Sequence, residues 1–325
     1  MTALGGVPDV VALDLGGTQL RTAVFSGSVL LERWSVPTPR GAAAVVNEMV
    51  HQIERAQKLA DGQLRAIGIS ALGPVNPATG AIRDAPNIGV FDAFPLRQQL
   101  QERIALPIGI VNDANAATIG EWQLGSGRGT RDFCYVTIST GIGCGIIAGG
   151  QLITGHRGAA TEFGRIQVRA PGHGVSRSLE HYASGTAIAA HATELLRTTS
   201  SPRLTAAAAN HPVTARLVAE LAAAGDPICL QLMHDAGTMV GEAVANLVRM
   251  LDPEVIAIGG GVSQAGEPLW CPLTRALNGS LARDGYPIPR IVHAELSDDA
   301  GLHGAAITAR KAAIGTTADA GEPAT

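Results

Sequence analysis

The chain has 325 residues, 46% of them apolar and 16% charged, with a net charge of −4, 40 glycines and 18 prolines; this composition excludes a disordered chain, and a slightly acidic balance with no basic run excludes a nucleic-acid-binding surface. Only Lys58 and Lys311 are lysines, and neither stands in a Gly-Lys-Ser/Thr or Val-Ala-Ile-Lys context, which excludes a P-loop NTPase and a protein kinase. With no apolar run of about 18 residues, no basic and apolar leader, and four cysteines (Cys134, Cys144, Cys229, Cys271) without Cys-x-x-Cys spacing, the expectation is a cytoplasmic protein, away from membranes, with buried reduced thiols.

Three strands open the chain: Asp9–Leu15, stopped by Gly16-Gly17, then Leu20–Phe25, then Val29–Trp34 after a turn at Gly27. Helical apolar spacing follows over Ala42–Leu59, then a buried strand at Ala66–Ser70, a helix at Phe94–Ile104, a strand at Ile108–Val111 and a helix at Ala114–Leu124. The pattern then repeats. Phe133–Ser139 is a strand stopped by Thr140-Gly141, with short strands at Gly145–Ala148 and Gln151–Ile153 around Gly149-Gly150. Helices are predicted at Thr186–Arg197, Val213–Ala223 and Pro227–Leu251, and Thr198–Pro212 reads as a helix–loop connection of no evident chemistry. A strand at Val255–Ile258, a helix at Pro268–Arg283, a strand at Arg290–Val292 and a helix at Leu302–Ala313 close the chain. Superposing VALDLGGTQLRTAV on VTISTGIGCGIIAG sets Asp14 on Ser139 and Gly16 on Gly141, and a duplicated α/β unit explains both halves.

The glycine turns carry the chemistry. In Asp14-Leu-Gly-Gly-Thr-Gln-Leu-Arg21, exposed amides after a buried aspartate let a phosphoryl group approach closely, and Asp14 faces the accompanying metal through water. Thr140-Gly-Ile-Gly-Cys-Gly145 is its counterpart; Ile146 stands where a G-x-G-x-x-G dinucleotide fingerprint needs glycine. Gly259-Gly260-Gly261 lets a nucleotide lie against the backbone before a helix N-terminus. Asp113 opens a helix and could serve only as its cap. Set beside phosphate-type turns and the carboxylates Glu162 and Glu180, it is a candidate base for a hydroxyl attacking phosphorus.

Taken together, DLGGTQLR (14–21), GPVNPATGAI (73–82), APNIG (85–89), NDANAATIGEW (112–122), TISTGIGCGIIAGGQLITG (137–155), TEFG (161–164), LEHYASG (179–185) and LDPEVIAIGGGVS (251–263) resemble the ROK family of sugar kinases and repressors. The resemblance runs from Asp14 to the helix after Gly304. It implies a glucokinase-like enzyme of α/β class, with the duplicated actin-like (ribonuclease H-like) ATPase fold and two domains flanking a cleft. The smaller domain is expected over 1–113, completed by the helix at 302–313, the larger over 114–301, and a disordered tail over 315–325. Asp113 is then the general base for a primary (6-type) hydroxyl; Gly73, Asn87, Asn112, Asp113, Glu162, Arg165 and Glu180 face the sugar. Asp14, Gly16, Gly17, Thr18, Thr140, Gly141, Gly260 and Gly261 face ATP, with Mg2+ reached by Asp14 through water. The partners implied are a sugar and a nucleotide, and the family implies a homodimer.

The departure lies between Glu162 and Glu180. The family pattern, E-x-G-H then C-x-C-G-x-x-G-C-x-E, holds a structural zinc, whereas here the histidine position is Arg165 and the cysteine positions are Pro171, His173 and Ser178. One surviving ligand does not make a tetrahedral site, so no zinc is expected. Arg165 either pairs with Glu162 or Glu180, replacing the fixed positive charge, or reaches the substrate. TISTGIGC, with Cys144 where glycine is usual, resembles ROK-type kinases of antibiotic pathways acting on amino sugars such as kanosamine, or on cyclitols; glucose or another common hexose is the competing substrate. The motifs do not separate ATP from polyphosphate as donor. The alternative class is a non-catalytic, sugar-binding regulatory protein; the repressor branch places a helix-turn-helix ahead of a DLGGT-like strand that here has about nine residues before it.

Overall fold

The computed structural model describes residues 9–90, 92–169, 175–198 and 201–319; the side chains of Asn87 and of residues 315–319 lie outside that description. In chain order the elements are β1 (Val10–Leu15), β2 (Gln19–Ser26), β3 (Val29–Pro37), α1 (Ala42–Leu59), β4 (Ala66–Ala71), α2 (Leu96–Gln101), β5 (Ile108–Asn112) and α3 (Asp113–Leu124). Next come β6 (Phe133–Ile138), β7 (Ile142–Ala148), β8 (Gln151–Leu152), β9 (Gln167–Val168), β10 (Arg177–Ser178), α4 (Leu179–Ala183), α5 (Gly185–Thr198), α6 (Pro202–Ala208), α7 (Ala215–Ala223) and α8 (Pro227–Leu251). The last are β11 (Val255–Gly259), α9 (Glu267–Arg283), β12 (Arg290–His293) and α10 (Ala300–Asp319). They form two compact units, one of Met1–Arg128, Leu152–Ala160 and Asp298–Thr325, the other of Gly129–Gln151 and Thr161–Ser297.

Each unit holds a five-stranded sheet, ordered β3-β2-β1-β4-β5 in the first and β8-β7-β6-β11-β12 in the second. The two orders are the same: three antiparallel meander strands, then two strands parallel to the first. This is the duplicated actin-like ATPase fold. In the first unit β1 is buried on both faces, as a central strand must be. Val11, Leu13 and Leu15 point to a core shared with Val45, Val46, Met49 and Ile53 of α1, while Val10 and Ala12 meet Leu302, Ala305, Ala306 and Ala309 of α10. Each such aliphatic side chain contributes roughly 1.5–3 kcal/mol on burial. The α10 backbone lies directly on the sheet: a Cβ at Gly68 would fall 1.8 Å from the Ala305 carbonyl oxygen, so only glycine fits in β4 there. In the second unit Cys134, Val136 and Ile138 of β6 pack on α8 through Met233, Val240 and Val244, and α9 adds Leu273 and Leu277.

Several elements differ from the sequence expectation. The helix predicted over Phe94–Ile104 is confined to Leu96–Gln101, because Pro95 sets its start. The strand predicted at Gly145 begins at Ile142, since β7 pairs with β6 from Ile138–Ile142 onward, so Gly143 and Gly145 are ladder residues and not part of a phosphate turn. The helix of the expected helix–loop connection after Thr198 is α6, capped by Ser201 with Pro202 in its first turn. The tail expected to lack order from residue 315 continues α10 to Asp319; its remainder, 320–325, lies outside the described residues. Of the four cysteines expected to be buried, Cys271 is exposed.

Candidate active site

In the first unit the β1 register places Asp14 opposite Arg21 of β2 and beside Ser70 of β4. The carboxylate, 8% exposed, is held from both sides. Arg21 donates from Nε (2.9 Å) and Nη2 to Oδ2, and Ser70 Oγ donates to Oδ1 at 2.6 Å. Arg21 Nη1 also donates to the Asp298 carbonyl at 2.7 Å. The turn that follows is closed by Gly16 N on Gln19 O (3.0 Å) and tied to the end of β3 by Thr38, whose amide reaches Thr18 O (2.9 Å) and whose hydroxyl reaches Gly16 O (2.7 Å). Gly17 and Thr18 are left exposed, and their amides have no acceptor among the described residues. Both oxygens of Asp14 are occupied by protein donors, so the residue fits a metal through an intervening water and not as a direct ligand.

At the end of β5 the chain turns into α3, and the cap of that helix is Asn112, not Asp113. Asn112 Oδ1 accepts from Ala114 N (3.1 Å) and Asn115 N (3.3 Å). Asp113 is the first helical residue, where the helix dipole favours a carboxylate. Its Oδ1 accepts from Ala114 N (2.8 Å) and from Asn112 Nδ2 (2.9 Å). Gly73, after β4, takes φ +72°, and a Cβ there would fall 2.1 Å from Arg83 O; its carbonyl accepts from Asn112 Nδ2 at 3.0 Å. Gly73, Asn112 and Asp113 are thus brought together. Asn87 belongs to a 3-10 turn, Pro86–Ile88, and its side chain lies outside the described residues.

In the second unit the β6–β7 turn gathers another set. Glu180, in the first turn of α4, accepts from Ile142 N at 2.8 Å, and a Cβ on Gly141 would fall 2.4 Å from the same Oε2. Thr140 O accepts from the Thr186 hydroxyl at 2.9 Å. Glu162 precedes a 3-10 turn, Phe163–Arg165, that packs on β7, with Gly164 against Ile142 O. Arg165 Nε lies 3.1 Å from Glu162 Oε2, their side chains 64% and 39% exposed. Thr161, just before, is a β-branched residue at φ +65°, a strained conformation. Gly260 takes φ +87° with Ile138 O and Thr137 Oγ1 in the space of a Cβ, and only glycine fits. The element after Gly260 is a five-residue 3-10 turn, Gly261–Ala265, in place of the expected helix N-terminus; α9 begins later, at Glu267.

The pairing also corrects the internal alignment. The first hairpin closes at Leu15–Leu20 and the second at Ile138–Ile142, one residue tighter, so the counterpart of Asp14 is Thr137 and not Ser139. At the degenerate zinc loop, Ser178 caps α4 by accepting from His181 N (3.2 Å). Pro171 and His173 lie outside the described residues, and among the described residues no three His, Cys, Asp or Glu side chains gather to hold a metal. Sequence reasoning did not single out Ser70 or Arg21 as supports of Asp14. Arg21 stood inside the quoted DLGGTQLR motif, but Ser70 is a neighbour only through the parallel register of β1 and β4. Cys144 is a core residue, 2% exposed, its thiol pushed up by burial and by the neighbouring Cys134.

The family model described as ROK family matches residues 10–312. The chain belongs to the ROK family. Among ROK relatives, a glucokinase of Halalkalibacterium halodurans is 34% identical over 90% of this chain and 92% of its own length. An N-acetylmannosamine kinase of Haemophilus influenzae is 30% identical over 78% of this chain and 81% of its own. The crystal structure of a ROK hexokinase from Thermus thermophilus covers 93% of this chain and 98% of its own at 37% identity and a TM-score of 0.79. That of a ROK glucokinase from Streptomyces griseus, in complex with glucose and AMPPNP, covers 93% and 99% at 31% identity and the same TM-score of 0.79. This ROK protein is a sugar kinase, with a sugar and a nucleotide as substrates. Among its described residues no helix is long and apolar enough to cross a membrane.

Proposed function

We propose that the chain transfers the γ-phosphoryl group of ATP to the 6-type primary hydroxyl of a hexose, with Asp113 as general base. The observation that carries this is the placement at the start of α3: Asn112 is the N-cap, and Asp113, the first helical residue at the end of β5, has its Oδ1 fixed by Ala114 N and Asn112 Nδ2. In the step, the hydroxyl oxygen bonds to the γ-phosphorus and the bond to the β,γ-bridging oxygen breaks. ADP leaves, and the hydroxyl proton passes to Asp113. Gly17 and Thr18 supply amides toward the phosphates beside Gly16, as do Thr140 and Gly141, and Gly260 and Gly261 lie along the nucleotide. Magnesium, which neutralises charge on the phosphates, would be held by Asp14 through water. Glu162, Glu180 and Gly73 face the sugar hydroxyls.

Glucose is the substrate this account favours. The glucokinase relatives support it, and Cys144, which carried the likeness to amino-sugar and cyclitol kinases, is a member of the hydrophobic core of its own unit. Arg165 pairs with Glu162 and stands in for the fixed positive charge that zinc gives the family loop. A coupled ADP-release assay with ATP or polyphosphate, over glucose, mannose, N-acetylmannosamine, kanosamine and a cyclitol, tests this. The expected outcome is ATP-dependent turnover fastest with glucose. Faster turnover of kanosamine or a cyclitol overturns the substrate, and turnover of none overturns the kinase assignment in favour of a sugar-binding regulator.

A further inference from the structure

Five non-glycine residues take a left-handed backbone conformation among the described residues: Asp61, Asp84, Thr161, Asp252 and Ser297. Three of the five are aspartates, a type that tolerates this region through local hydrogen bonds. Thr161, at φ +65°, is the only β-branched residue of the five, and its branch makes the conformation costly. It is also the residue before Glu162. The stretches on either side are fixed. Upstream, Ala160 N donates to Thr154 O at 3.1 Å, and a Cβ on Gly158 would fall 1.8 Å from Val75 O. Downstream, Phe163 is buried in the core, and a Cβ on Gly164 would fall 2.3 Å from Ile142 O. Between them Glu162, at φ −68° and ψ 58°, is the centre of an inverse γ-turn closed by Phe163 N on Thr161 O at 2.6 Å.

We propose that Thr161 sets the sugar affinity, because its strain opposes the turn that presents Glu162 and sugar binding must hold that turn in place. The proposal rests on the reading of Glu162 as a sugar-facing carboxylate. Strain of this kind persists only where the surroundings over-determine it. In the sugar-free protein it favours a relaxed turn, with Thr161 at negative φ and Glu162 withdrawn. The arrangement described above is the sugar-holding one. Apparent affinity falls with the fraction of molecules in the holding arrangement. The usual penalty for such a residue is worth roughly tenfold in that equilibrium. Glycine, with no Cβ, meets no such penalty.

The test measures glucose binding by calorimetry, with melting temperatures and steady-state kinetics, in variants of Thr161, Asp252 and Glu162. Thr161→Gly removes the strain, and Thr161→Asn lowers it while keeping a polar side chain. Thr161→Val keeps the branch without the hydroxyl, and Asp252→Gly changes a left-handed residue at the end of α8, outside the site. The expected result is glucose bound about three- to tenfold tighter by Thr161→Gly, with Thr161→Asn between it and wild type. KM for Mg-ATP should stay within about twofold in both, and Thr161→Val and Asp252→Gly should bind glucose as wild type does. Unchanged or weaker glucose binding by Thr161→Gly overturns the proposal, since the strain is then carried by the fold alone. Equal tightening in Thr161→Val or Asp252→Gly overturns it too, by making the hydroxyl or a general stability gain the cause. Failure of both Thr161→Gly and Thr161→Asn to fold counts the same way. Glu162→Gln separates the two levels: glucose binding unchanged there removes the sugar-facing reading and the proposal with it. Weakened binding there, without tightening in Thr161→Gly, removes the proposal alone.

Discussion

Gly141→Ala tests how the second-unit turn and Glu180 depend on one another. The added methyl carbon would fall 2.4 Å from Glu180 Oε2, about 1 Å inside normal contact. Glu180 is long and its carboxylate exposed, so the side chain swings away and backbone strain is avoided. What is lost is the 2.8 Å bond from Ile142 N, in a residue 7% exposed. A hydrogen bond to a charged acceptor contributes about 1.5–3 kcal/mol; partial exposure of this one places the loss near the low end, about 1–2 kcal/mol. In a unit of this size that lowers the melting temperature by about 3–6 °C. Displacing Glu180 also removes a sugar-facing carboxylate, so KM for glucose rises while KM for ATP changes less. Glu180→Gln is the control, because its amide oxygen still accepts from Ile142 N and should melt higher than Gly141→Ala. Differential scanning fluorimetry with steady-state kinetics reads both effects. A Gly141→Ala enzyme that melts within about 1 °C of wild type with unchanged KM for glucose refutes the reasoning.

Three further outcomes are expected. The Arg165–Glu162 pair is exposed, and such pairs contribute about 0–1 kcal/mol; Arg165→Ala should therefore barely change the melting temperature, while KM for glucose rises a few-fold as Glu162 loosens. A fall in melting temperature with unchanged KM would make the pair purely structural. Ser70→Ala removes the hydroxyl that donates to Asp14 Oδ1, and should raise KM for Mg-ATP more than KM for glucose at a stability cost of about 1 kcal/mol; equal effects on both constants would count against the phosphate-side role. His303 is held below its ordinary value by burial, opposed by Asp299, then lowered by Arg310 and raised by Glu121. The unfolded chain therefore binds the proton first as pH falls below about 6.5, so stability is full above that pH and declines below it until the folded-state value is passed. Urea melts of His303→Gln should show a flatter dependence in that window, and an unchanged slope would count against His303 as its source.

Much of the fold was legible because it is written twice. The apolar run of β1 stopped by Gly16-Gly17 and that of β6 stopped by Thr140-Gly141 announced matching hairpins, and the sheets carry matching strand orders. Register was not legible. The loops differ by one residue, so aligning on glycines slid Asp14 onto Ser139, whereas backbone pairing sets it against Thr137. The same limit hid Ser70, which meets Asp14 across 56 residues of sequence. Asn112 and Asp113 are both good capping types in adjacent positions; the backbone turn makes Asn112 the N-cap, and Asp113 shares the Ala114 amide with it. Residue chemistry was more readable than residue contacts: Glu162 and Glu180 stood out as carboxylates flanking a glycine-rich loop and Arg165 through the family resemblance, but that Glu162 lies within ion-pair distance of Arg165 is a matter of local geometry.

The claim at the centre is that Asp113 accepts the proton of a sugar hydroxyl as ATP gives up its terminal phosphoryl group. Following glucose 6-phosphate by 31P NMR with Mg-ATP, in wild type and in Asp113→Asn, tests it most directly when glucose binding is measured by calorimetry on the same samples. The account predicts product from wild type, a rate lower by roughly 100-fold or more in the variant, and glucose still bound. Formation of glucose 6-phosphate by Asp113→Asn within about threefold of the wild-type rate would contradict it.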